Sequence, residues 1–339
     1  MANKEAEKIL KKDLGVKSLR SFPRDITIAY NDSKHILTMT LLPKAVGLGK
    51  GDAVNMQENA AAFEAWCFII KAKTSIDDLE IKLDVEGLTS DMYDKDIPST
   101  GHFGRFLYRI LKFKEQYGTW FFSLSDKLED MRKKFADFLS SGKFVNNEPS
   151  KEAEDDEDAL GTEGYVEKRF CDDDSLGKLI LGFSGENVVM NRQLPVGLFK
   201  GEKSDATAVF TGKKSAIDFW LLYKNELNIY ELKAKNKMVG ILTEIFFYSN
   251  YMRDVYWHNS LETKQNVTIR NPQTTDRSYD KLCNGIKSIT KITGWLLADE
   301  FHPAITDDVI NIMNNNGIKN ELQYDKKQYD LKIDINVHE

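Results

Sequence analysis

A chain of 339 residues exceeds what one ordinary core fills and suits two domains. Hydrophobic residues at 41% and charged residues at 29% describe an ordinary globular protein, and no apolar run nears the roughly 18 residues that span a bilayer. The net charge of −6 argues against a nucleic-acid partner only if it is spread evenly, and it is not. Twelve acidic and three basic residues fall between Glu148 and Asp174, a local −9 that leaves the rest of the chain at +3. Residues 1–50 hold ten Lys/Arg against five Asp/Glu. The three cysteines, Cys67, Cys171 and Cys283, are far apart and suggest neither a disulfide framework nor a zinc site. The N-terminus reads as a short basic amphipathic segment without the apolar centre of a secretory signal, so a reducing cytoplasm is expected, with no membrane partner.

The first half reads as α+β. Ile26–Tyr30 and His35–Leu42 form a predicted hairpin around Asn31-Asp32, a turn-favouring pair. Asn55–Ala72 is Ala-rich with apolar residues at helical spacing, and its Glu58 and Glu64 read as exposed helix carboxylates. A strand is expected over Leu79–Val85, then amphipathic helices over Gly104–Glu115 and Ser125–Leu139. Gly47-Leu48-Gly49-Lys50-Gly51 lacks the Gly-Lys-Ser/Thr ending of a phosphate loop and reads as a turn. Residues 148–158, acidic and without large apolar side chains, read as a solvated linker between an N-terminal domain, 1–147, and a second domain, 159–339.

In the second half a helix is expected within Leu160–Phe183 and a strand over Asn187–Phe199, interrupted by Pro195. Strands follow over Lys214–Tyr223 and Leu227–Ala234, then a long helix from about Val239 to Tyr256. Thr263–Asp280 reads as a surface loop, Gly294–Asp299 as a strand, Thr306–Asn314 as a helix and Tyr329–Ile335 as an edge strand. His102, His258 and His302 have no metal-ligand spacing.

The chemistry lies between residues 215 and 255. If Lys224-Asn225 is a two-residue hairpin loop, Asp218 opposes Glu231; if the loop is Asn225-Glu226, Asp218 opposes Lys233. Either register sets Asp218, Glu231 and Lys233 on one sheet face, whereas a three-residue loop breaks the arrangement. Two carboxylates close together among apolar neighbours are costly unless a cation neutralises them. Mg²⁺ or Mn²⁺ suits such oxygen ligands, keeps several waters and can activate one against a phosphorus atom, while an ammonium at Lys233 orients that water. On the next helix Glu244 interrupts the apolar stripe of Ile241, Ile245, Tyr248, Met252 and Val255.

An acidic strand residue, then Glu-x-Lys on the next strand, then a helix, resembles the core of the PD-(D/E)XK nuclease superfamily, which includes many restriction endonucleases. The match is Ile217-Asp218 with Glu231-Leu232-Lys233, and Glu244 on the helix; Ile stands where the motif name has Pro. The resemblance implies an α/β, restriction-endonuclease-like fold over roughly residues 160–335, ordered α-β-β-β-α-β, with a mixed central sheet. It implies metal ligation by Asp218, Glu231 and the Leu232 carbonyl, Lys233 as the group that positions or activates water, and a further acid from the first helix, Glu163 or Glu167. Arg192 or Gln193 on a neighbouring strand could reach phosphate, although a structural role is the better reading of both. The implied activity is Mg²⁺-dependent hydrolysis of DNA, with RNA the less favoured partner, in restriction or another anti-phage defence. The N-terminal domain would select the substrate, and the sequence leaves a homodimer open. The rival reading is a catalytically silent fold of the same type that binds nucleic acid or protein.

Overall fold

The computed structural model describes residues 4–16, 22–48, 53–89, 101–150, 161–182, 188–210 and 215–330. It is a mixed α/β protein with three sheets among the described residues. None of the described helices is long and apolar enough to cross a membrane.

After a short helix α1, Lys4–Lys8, come the hairpin strands β1, Ile26–Asn31, and β2, Ile36–Leu41, in antiparallel register with Asn31 opposite Ile36. The chain continues through α2 (Phe63–Lys73), β3 (Glu80–Val85), α3 (His102–Tyr117), β4 (Phe122–Leu124), α4 (Asp126–Ser141) and β5 (Phe144–Asn146). Strands β1 to β4 form one sheet in chain order, with β2, β3 and β4 parallel.

The second half runs α5 (Glu163–Asp172), α6 (Asp174–Leu181), β6 (Val189–Pro195), β7 (Leu198–Lys200), β8 (Ala208–Phe210), β9 (Ala216–Tyr223), β10 (Glu226–Lys233) and α7 (Ile241–Tyr251). Then follow β11 (Val267–Thr268), α8 (Tyr279–Gly285), β12 (Lys291–Ala298), α9 (Asp307–Asn314) and β13 (Leu322–Gln328). Its main sheet is ordered β13-β12-β10-β9-β6, an antiparallel meander of β6, β9 and β10 continued by parallel β12 and β13. Helix α7 makes the crossover from β10 to β12. Alternation sends Trp220, Leu222, Leu227 and Ile229 to the face that α7 covers. Phe219, Leu221, Tyr230 and Leu232 go to the other face, where Val166, Phe170, Ile180 and Leu181 of α5 and α6 meet them.

The hydrophobic core does not divide where the acidic segment does. The ring of Phe246 on α7 lies 5.5 Å from Phe113 and 6.3 Å from both Phe68 and Tyr117 of the first half. Gln116 donates to Asn250 at 2.6 Å, and the Tyr117 hydroxyl to the Met313 carbonyl at 2.7 Å. Strand β5 pairs antiparallel with β7 and parallel with β11, so a sheet too is shared. Glu148, expected to open the linker, lies 3.1 Å from Arg270 and 3.5 Å from Lys203. Residues 151–158 of that segment lie outside the described residues.

Other expectations need correction. Residues 56–61 make turns, so α2 begins eight residues later than the Ala-rich pattern suggested. Glu64 is fully buried and ion-paired with Arg109, not an exposed helix carboxylate. Asp173 breaks the expected single helix in two, its side chain accepting from the Leu176 N–H at 3.0 Å. The supposed loop 263–280 carries β11 and the start of α8. The last described strand is 322–328; of the expected edge strand only Tyr329 and Asp330 are described, and neither is in a strand.

Candidate active site

The hairpin that sets the site is tight. Tyr223 pairs with Glu226 across Lys224-Asn225, and Lys224 takes a positive φ of 53°, as a two-residue turn of this kind requires. The ladder runs in step to Phe219 opposite Tyr230 and opens there. One residue further on, Asp218 no longer pairs through its backbone; its carboxylate instead accepts from the Leu232 N–H at 2.6 Å. Opening of the ladder at the charged residues gives their side chains room.

Asp218, Glu231, Lys233, Glu244 and Glu163 line one cavity of about 230 Å³. Lys233 Nζ donates to Glu231 Oε1 at 2.7 Å and lies 3.3 Å from Glu244 Oε2 and 3.8 Å from Glu163 Oε2. Glu167 takes another direction, accepting from Gln193 Nε2 at 2.5 Å on the α5 side. Arg192 and Gln193 sit on β6 beside β9, and Gln193 also lines the cavity. Sequence reasoning missed five parts of the wall: Asn55, Met56 and Gln57 from the first half, and Ser215 and Ala216. Tyr248 lines it too, one helical turn beyond Glu244 on the stripe already noted.

The electrostatics are those of a site short of positive charge. Burial pushes the Asp218 carboxyl up to about 7, against the pull of Lys233 and the Leu232 N–H. Burial, then the charges of Asp218 and Glu244, lift Glu231 well above the carboxylate range. Burial and Asp218 together raise Glu167 to about 8, and burial raises Glu163. Burial opposes the charge on Lys233, but Glu231, Glu244, Asp218 and Glu163 outweigh it and hold its pKa well above the ordinary value. Several acids share one ammonium.

Among the described residues the buried Glu231 Oε2 accepts from no donor, and Glu244 Oε2 meets the Lys233 ammonium at 3.3 Å. A buried acceptor left open is costly unless something fills it. Asp218 and Glu231 are oxygen donors of the kind Mg²⁺ takes, since it is held by one or two carboxylates and retains water, whereas of Leu232 it is the N–H that engages the cluster. No group of three or more His, Cys, Asp or Glu arranged to hold a metal ion is found among the described residues. Comparison with protein-family models, curated proteins and solved structures finds no match to this chain.

Proposed function

We propose that this protein is a metal-dependent nuclease of the PD-(D/E)XK type, acting on DNA in preference to RNA. The observation that carries the reading is the meeting of Asp218, Glu231, Lys233 and Glu244 around one cavity, where three acids share the Lys233 ammonium. The order α5-β6-β9-β10-α7-β12, a helix, a three-stranded meander, a crossover helix and a parallel strand, supports a restriction-endonuclease-like fold. A role in restriction or other anti-phage defence, in the cytoplasm, follows from the resemblance alone.

Asp218, Glu231 and the Leu232 carbonyl would hold Mg²⁺ or Mn²⁺, which when bound supplies Lewis-acid stabilisation of charge on the phosphate. Lys233 remains an ammonium among its acids, so it cannot serve as the base that takes the proton from water. It orients the nucleophile and offsets negative charge building on phosphorus. Glu244, a carboxylate of the cavity not assigned to the metal, is the group to which the water proton can pass. Glu163, at the rim and half-exposed, fits the first-helix acid better than Glu167, which Gln193 engages.

One observation favours a second reading, a catalytically silent module: Lys233 already neutralises part of the acidic cluster without a metal. Incubation with plasmid, linear DNA and RNA in Mg²⁺, Mn²⁺ or EDTA separates the two. Cleavage that needs metal and falls at least 100-fold in Lys233→Ala, with DNA affinity retained, is expected. Absence of metal-dependent cleavage of any of these substrates would leave the silent module.

A further inference from the structure

Among the described residues the buried cations have anionic or carbonyl partners, with one exception. Arg109 Nε donates to Glu64 at 2.7 Å, Lys112 Nζ lies 2.9 Å from Asp254, and Lys233 pairs with Glu231. Lys71 donates to the carbonyls of Asp77 and Leu79. Arg105, on α3 and only 4% exposed, meets no carboxylate at ion-pair distance among the described residues. Its Nη1 donates to Ser215 Oγ at 3.2 Å and its Nη2 to His102 Nδ1 at 3.0 Å, both neutral acceptors. Burial and Arg105 itself hold the His102 pKa below its ordinary value, which keeps that ring nitrogen an acceptor. Burial and the nearby Arg109 pull the Arg105 guanidinium down to about 10, against a smaller opposing pull from Tyr248 and Glu244. A buried guanidinium with no carboxylate in contact destabilises a fold unless an anion comes closer.

The position of Arg105 is fixed by packing. A Cβ at Gly104 would lie 1.8 Å from the Val209 carbonyl oxygen, so α3 presses directly on the β8 backbone. Ser215 is held through its carbonyl, which accepts from the Val196 N–H at 2.8 Å, and it lines the same cavity as Asp218, Glu231 and Lys233. A serine hydroxyl that accepts from arginine still has its own hydrogen to donate, and the donation strengthens when the oxygen is polarised.

We propose that Ser215, polarised by Arg105 behind it, forms an anion subsite in the wall of this cavity and holds a phosphate of the bound strand. The identity of the anion as a nucleic-acid phosphate rests on the nuclease reading; the subsite itself does not. The carboxylates would hold cations while Ser215, backed by Arg105, attracts the neighbouring phosphate, and the first half of the chain would thereby act on the substrate's backbone through Ser215. Arg105 acts through Ser215 and is a positioning residue.

Thermal melting of the full chain without divalent metal, with inorganic phosphate against chloride at equal ionic strength, tests the subsite. Phosphate should raise the Tm of the wild type and of Arg105→Lys, but not of Ser215→Ala or Arg105→Met. Without phosphate, Arg105→Met should melt at or above the wild type, because a buried charge with no ion-pair contact has gone. Affinity for a short DNA duplex should fall tenfold or more in Arg105→Met, and its dependence on salt should weaken by about one phosphate contact. An unchanged phosphate shift in Ser215→Ala would overturn the proposal, as would an Arg105→Met protein that melts well below the wild type. A wild type that shows the phosphate shift yet cleaves nothing would sink the nuclease reading and leave the subsite standing.

Discussion

Asp218 is a carboxyl whose charge is opposed by its own surroundings, and that has a consequence for stability. Its pKa rises from the ordinary aspartate value near 4 to about 7, chiefly through burial. The folded protein therefore binds a proton more tightly than the unfolded chain over that window. Metal-free stability should be highest below about pH 4 as far as this group is concerned, and should decline as pH rises through about 7. Asp218→Asn removes the liability, so its metal-free Tm should exceed that of the wild type at pH 8 and match it more closely at pH 5. A cation at the site should have a similar effect at pH 8, raising the wild-type Tm and leaving Asp218→Asn nearly unmoved. Equal Tm values for the two proteins across this range would show that the carboxylate is comfortably solvated.

At the scale of elements, α7 brings Glu244 to the site, and its start is pinned by a close backbone approach. A Cβ on Gly240 would fall 1.8 Å from the carbonyl oxygen of Gln57, and Gln57 lines the cavity with Glu244. Gly240→Ala must push the 55–57 segment away, at a cost of about 1–3 kcal/mol by the usual penalty for overpacking. Chemical denaturation should record that loss, and cleavage should fall with it. An alanine variant as stable and active as the wild type would mean that segment 55–57 is not held there. This contact was not legible in the sequence, since nothing in Asn55-Met56-Gln57 announces a partner some 180 residues away. What the sequence did carry was local. The β9–β10 hairpin follows from two strongly apolar stretches around a two-residue polar break, and its register sets Asp218, Glu231 and Lys233 together. Strands β4, β5 and β8, each of three residues, are too short to show a period. β13 has buried side chains only at Leu322 and Tyr324 of its seven, so its alternation fades after the first half. Glu64 looked like an exposed carboxylate because its partner Arg109 comes from another helix.

At the scale of the whole molecule, the acidic stretch suggests two bodies, whereas the packing builds one. The Glu64–Arg109 pair receives a hydrogen bond from Thr243 at 3.1 Å, beside Glu244, so α2, α3 and α7 meet around a buried charge. Tyr108 donates to Asp254 at 2.8 Å, and Lys112 pairs with the same carboxylate. Separating the halves would strand these charges and expose the rings around Phe246, each a large cost. A protease site placed within residues 151–160 and cut in the native protein should therefore yield two pieces that co-elute on size exclusion and melt in one transition. The same pieces expressed separately should be insoluble or unfolded, because each lacks part of the shared core. If the cut pieces part in native buffer, or if 159–339 alone unfolds cooperatively, the halves are independent domains. The first would then be free to move relative to the carboxylate cluster, and Asn55, Met56 and Gln57 could not be fixed parts of its wall, nor Arg105 a fixed support behind it.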